Sequence, residues 1–161
     1  MTQATASNLN ARTDTSGATG AAPPARADFV GGLSSGATGG FVIGIPVCDS
    51  FKAVSMTSAT TTLMVTGVSG RHVRICSVNL VTAIANNVVM ISGTGATCGT
   101  GTAGIAGGTT AANGWNFAAN GGITVGSGIG TVMQTAATGD SVCIITSAAG
   151  PLAGTIAYTI Y

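Results

Sequence analysis

The chain has 161 residues and a mass of 15.4 kDa, which suits one domain and a tail. Only 6% of its residues are charged, there is no Glu, and the net charge is +1; an ordinary globular chain carries about 25% charged residues. No field therefore exists to attract nucleic acid or anionic lipid, and so small a net charge does not hold free copies apart in solution.

Residues 1–40 form the first region. Its large apolar residues are Met1, Leu9, Phe29, Val30 and Leu33, and the rest is Ala, Thr, Ser, Gly and Pro with Pro23-Pro24 in the middle. Such a segment buries too little apolar surface to offset its ordering entropy, so an extended arm that gains order from a partner is expected. Met1 to Asp14 lacks both the basic start and the apolar stretch of a secretory signal.

Residues 41–161 are expected to form one β-sandwich domain. Strands are predicted over Phe41–Val47, Lys52–Met56 and Thr60–Thr66, with a turn at Gly67–Gly70. The next strand, Arg71–Val81, reads as having Cys76, Val78 and Leu80 on one face beside His72 and Arg74, with Val73 and Ile75 on the other. No charge occurs from Ile75 to Gly139, but Ile75–Ile91 contains Asn79, Asn86 and Asn87. Two buried strands with a turn at Asn86-Asn87 suit it better than a membrane span. Further strands are predicted at Asn87–Ile91, Gly130–Gln134, Ser141–Thr146 and Ala153–Tyr161. In the last, Ile156, Tyr158 and Ile160 face one way and Thr155, Ala157 and Thr159 the other. About eight strands and no helical period point to an all-β, jelly-roll-like sandwich. Gly93 to Gly130 reads as one long irregular excursion, an interface element with Trp115 as its anchor and Phe117 beside it.

Three patterns resemble chemical motifs. Gly32-Leu33-Ser34-Ser35-Gly36 matches a nucleophile elbow but lacks the strand-and-helix frame that strains the serine. The sole histidine, His72, is the only base to serve it, so no catalytic residue is expected. Gly99 to Gly104 matches a dinucleotide fingerprint, yet Ile105 to Asn120 holds no acid, and a flexible loop is expected instead. Cys48, Cys76, Cys98 and Cys143 form no C-x-x-C pair and have one histidine between them, so neither metal nor cofactor is expected. Four cysteines allow three pairings. Cys98 with Cys143 and Cys48 with Cys76 is the favoured one, and buried free thiols remain an alternative. Runs such as Thr60-Thr61-Thr62 raise an ice-binding solenoid, but no constant period supports it.

Several runs carry a resemblance. Pro46-Val47-Cys48-Asp49-Ser50, Thr60-Thr61-Thr62-Leu63, Gly70 to Cys76, Ser92 to Thr102, Gly139 to Ala149 and Gly154 to Tyr161 resemble small β-sandwich proteins encoded among tailed-phage structural genes. These include capsid decoration (cement) proteins, head fibres and tail components. The resemblance covers residues 46–161 and implies a jelly roll on the capsid outer surface of a virion. There it would bind the major capsid protein, lock neighbouring capsomers together, and associate with itself as a homotrimer or a dimer. Neither nucleic acid nor membrane is an expected partner. The arm lies outside the resemblance; Leu9, Arg12, Arg26, Phe29 and Leu33 are its expected contacts to capsid or neighbouring subunit. A head-fibre or tail receptor-binding adhesin is the alternative.

Overall fold

Short runs of Val, Ile, Leu and Met separated by Gly and polar residues can bury apolar surface only as strands stacked in two layers. A computed structural model of the chain, which describes residues 48–161, has this arrangement. The chain divides into two units, Met1–Gly44 and Ile45–Tyr161, and every described residue belongs to the second. The expected arm and the strand expected over Phe41–Val47 lie outside the described residues.

The strands run in chain order as β1 (Ser50–Met56), β2 (Thr61–Val65), β3 (Val73–Thr82), β4 (Asn86–Thr94) and β5 (Thr100–Ala106). After a 3-10 turn at Ala111–Asn113 come β6 (Trp115–Phe117), β7 (Gly122–Val125), β8 (Met133–Gln134), β9 (Ser141–Thr146) and β10 (Leu152–Ile160). Sheet A has the order β1-β10-β3-β7, with β8 also on β3; sheet B has the order β2-β9-β4-β5, with β6 also on β4. All pairings are antiparallel. β7 pairs with Val78–Val81 and β8 with Arg74 and Ile75, so the two lie end to end along one side of β3. β5 and β6 share one side of β4 in the same way. Counted as interrupted strands, they leave four positions per sheet. The chain then pairs from its ends inward: β1 with β10, β2 with β9, β3 with β7, β4 with β5. That is the strand order of a jelly roll.

The core lies between the sheets. Val54, Met56, Val73, Ile75, Val78, Leu80 and Ile156 of sheet A meet Met64, Val65, Val88, Met90, Phe117, Val142 and Ile144 of sheet B, all buried. Tyr158 and Ile160 pack against it with Ile156, on the face their alternation predicts.

The β3 alternation does not predict its faces correctly. Tyr158 pairs with Ile75 but Ala157 pairs with Ser77, so Cys76 is an extra residue opposite one position of β10. A bulge of this kind shifts the two-residue period by one. Val73 and Ile75 before it and Val78 and Leu80 after it therefore all face the core. His72, Arg74 and Cys76 lie on the outer side, apart from Val78 and Leu80. Opposite the bulge, residues 126–132 leave the ladder as a Gly-rich blister between β7 and β8. Gly126 starts it at φ +81°, where a Cβ would collide with the Cys76 carbonyl oxygen.

Two other expectations need correction. Gly93 to Gly130 is not one irregular excursion, because it contains β5, β6, β7 and the 3-10 turn. β5 is Gly, Ala and Thr with the single Ile105, and the alternations of Trp115 with Phe117 in β6 and Ile123 with Val125 in β7 each span only three or four residues, yet their backbones complete the edges of both sheets. Nor do Asn86 and Asn87 form a turn. They begin β4, and the buried Asn86 holds the β9–β10 turn: its Oδ1 accepts from the N–H groups of Ser147 (3.0 Å) and Ala148 (3.2 Å).

Candidate interaction surface

The chemical-looking motifs fall on structural positions or outside the description. Gly32–Gly36 lies outside the described residues. Gly99 to Gly104 is not a flexible loop: it runs from the β4–β5 turn into β5, where Ala103 and Gly104 pair with Ser92 and Ile91 of β4. His72 is half-buried, and its Nδ1 lies 2.9 Å from the Thr135 carbonyl oxygen. A carbonyl only accepts, so Nδ1 carries the proton and is occupied in fastening β3 to the segment after β8. Among the described residues, no group of three or more His, Cys, Asp or Glu is arranged to hold a metal ion. No described helix is long and apolar enough to cross a membrane.

Both disulfides lie outside the central core. Cys48 is bonded to Cys76 at the β3 bulge and, with Ala157, forms a small buried cluster on the outer side of sheet A. Cys98, in the β4–β5 turn, is bonded to Cys143 of β9 on the outer side of sheet B. There they pack with Val89 and Ile91, and Leu63 and Ile145 border the cluster. These are the two pairs favoured from the sequence. Each ties its segment to an interior strand: Cys98 fastens the Gly- and Thr-rich β4–β5 turn to β9, and Cys48 fastens the residues leading into β1 to β3.

Trp115 and Phe117 occupy alternate positions of β6 and so share a face. Their rings stack at 6.4 Å with 22° between planes. Phe117 is buried in the core and Trp115 is half-buried against it. The pair thus serves first to close the sandwich where β4 would otherwise lack a neighbour. Leu9, Arg12, Arg26, Phe29 and Leu33 lie outside the described residues.

The exposed large apolar groups lie elsewhere and were not singled out by sequence reasoning: Phe51, Val68, Val81, Ile129, Val132 and Tyr161. Register places Phe51 opposite Ala157, and Val81 opposite Ala153, which puts both on the outer face of sheet A. At one end of this face Arg74, paired with Thr159 and Gln134, sets its guanidinium 5.5 Å from the centroid of the Tyr161 ring. Its Nε is buried and has no hydrogen-bond partner among the described residues. A signal for Phe51 existed, a bulky aromatic out of phase with Val54 and Met56. It could be read only once the inner face was known.

No family model matches the chain, and neither does any curated protein or solved structure.

Proposed function

We propose that this chain is a capsid decoration protein: a disulfide-stapled jelly roll that binds the outer surface of a virion's major capsid shell and stabilises contacts between capsomers with no chemical step. One observation carries the reading. Among the described residues, six large apolar side chains are exposed, whereas only Asp49, Lys52, Arg71, Arg74 and Asp140 are charged. A domain with so few charges and so much exposed apolar surface is suited to lie against other proteins. The oxidised cysteines agree with an oxidising setting such as a released particle. Leu9, Arg12, Arg26, Phe29 and Leu33 of the arm are the proposed shell contacts. Binding of this kind stabilises the shell by mass action, because the decorated state is populated at the expense of the open one.

The test is to add the purified chain to shells assembled without it and to follow occupancy and thermal disruption. Saturable binding at a fixed number of copies per capsomer, with disruption moved to higher temperature, is expected. Failure to bind at any ratio would sink the reading. A second reading, a head-fibre or tail adhesin subunit, draws on the blister at residues 126–132, where Ile129 is 71% exposed. Imaging of whole particles separates the two: copies spread over the shell support decoration, and a few copies on a fibre or tail support adhesion.

A further inference from the structure

The tetrapeptide Ala-Ala-Asn-Gly occurs twice, at residues 111–114 and 118–121, and these hold the chain's two Asn-Gly steps. At such a step glycine has no side chain to shield its amide nitrogen, which can therefore reach the side-chain carbonyl of the asparagine. We propose that Asn120 is a spontaneous backbone-modification site, converting in the folded protein to isoaspartate and aspartate, while Asn113 is protected by its setting. The inference does not rest on the capsid reading and holds equally for an adhesin subunit.

Both side chains are exposed, so exposure does not separate the two sites. Their backbone settings do. Asn113 ends the 3-10 turn: its N–H donates to the Thr110 carbonyl at 3.0 Å, and its own carbonyl accepts from the Gly108 N–H at 3.0 Å. A Cβ added to Gly108 would stand 2.7 Å from the Asn113 Cβ and 3.1 Å from its Nδ2, so this side chain lies against neighbouring backbone. Gly114 donates to the Ala111 carbonyl at 3.0 Å and is pressed against Val88 of β4 with no room for a Cβ. Asn120 instead lies in the exposed turn between β6 and β7. Its φ is +60° while Ala119 keeps a negative φ, and the Gly121 N–H donates to the Ala118 carbonyl at 2.9 Å. This is a type II turn, whose third residue takes the left-handed conformation that asparagine tolerates. Among the described residues, neither the N–H nor the carbonyl of Asn120 takes part in a backbone hydrogen bond.

The chemistry needs only water. The Gly121 nitrogen gives up its proton and attacks Cγ of Asn120. The new N–Cγ bond closes a succinimide ring as the Cγ–Nδ2 bond breaks, and the leaving nitrogen takes up a proton and departs as ammonia. Water then opens the ring at either carbonyl. Breaking the N–Cγ bond leaves aspartate. Breaking the bond from nitrogen to the main-chain carbonyl carbon leaves isoaspartate, whose backbone runs through Cγ and lengthens the link from β6 of sheet B to β7 of sheet A. Either product adds one carboxylate, so the net charge of +1 falls to zero. Ring closure at Asn120 requires one hydrogen bond to open, that from Gly121 to Ala118. At Asn113 the bond from Gly114 must open while two more still hold the asparagine, and each further bond lowers the opened population about fivefold.

Peptide mapping of the full chain tests the inference, with folded and unfolded samples aged side by side at mildly alkaline pH until the unfolded one has converted. Chymotryptic cleavage after Trp115 and Phe117 puts the two asparagines on separate peptides. Conversion is read as the mass gain of an amide becoming an acid, and electron-transfer fragmentation separates isoaspartate from aspartate. In the folded chain Asn120 should convert at least about tenfold faster than Asn113. In the reduced chain in guanidinium, where both sites are simply Ala-Ala-Asn-Gly, the two rates should agree within about threefold. Asn120→Gly suits the positive φ and should fold, as circular dichroism will report; it should lack the acidic species that isoelectric focusing detects in the aged wild type. An Asn120 that stays intact in the folded chain overturns the inference, as does an Asn113 that converts as fast there, or an acidic species that persists in Asn120→Gly.

Discussion

Asp140 shows how this chain uses its few charges. It is buried at 4% exposure, and its Oδ2 accepts from the Ala137 N–H at 3.1 Å, closing the turn that leads into β9. The carboxylate thus builds a turn where composition alone would suggest a solvated surface group. Asp140→Ala leaves the Ala137 N–H unpaired and should cost about 1–2 kcal/mol in urea denaturation, whereas Asp140→Asn keeps an acceptor and should recover most of it. His72 and Asn86 follow the same logic, each spending its polar atoms on backbone groups of a neighbouring segment. The sequence names such residues but not their partners, which lie about 60 positions away along the chain in both cases.

At the scale of elements, the disulfides and the edge strands carry the predictions. Cys48–Cys76 closes a separation of 28 residues and Cys98–Cys143 one of 45. Loop-closure entropy assigns them about 3.5 and about 4 kcal/mol respectively. Removing each pair by Cys→Ala substitution should lower the free energy of unfolding in guanidinium by up to those amounts, with the larger loss for Cys98–Cys143. Among the described strands β1 is an edge of sheet A, and Lys52 lies on its core-side register yet remains exposed. A charge there opposes edge-to-edge pairing with another molecule. Lys52→Val should therefore raise light scattering on warming without lowering stability in urea. How far the sequence could be read also becomes clear at this scale. The strands at β1, β2, β9 and β10 were legible as short runs rich in β-branched and apolar residues, with clean alternation in β10. β5 was not, since Gly, Ala, Thr and a single isoleucine have no face until a neighbour supplies one, and the Ile123 and Val125 alternation of β7 spans only four residues. The faces of β3 were misread because a bulge has no marker in composition: Cys76 resembles any other strand residue until its pairing is seen.

For the whole molecule, the two-sheet architecture was legible from the number and spacing of short strands, and the jelly-roll order followed once pairing was visible. The surface was the least legible part. Phe51 and Val81 resemble core residues in sequence, and Trp115 resembles a surface anchor while it packs against the core. The link from Cys48 to Cys76 also has a mechanical meaning. Among the described residues β1 is an outermost strand, paired with β10 alone, and would ordinarily unzip from its Ser50 end under a pull from the N-terminal side. Cys48 stands just before that end and is bonded to β3, which lies inside the sheet between β10 and β7. Tension arriving along the chain is shared with an interior strand, so the weakest seam of the sheet is shielded for as long as the bond is oxidised.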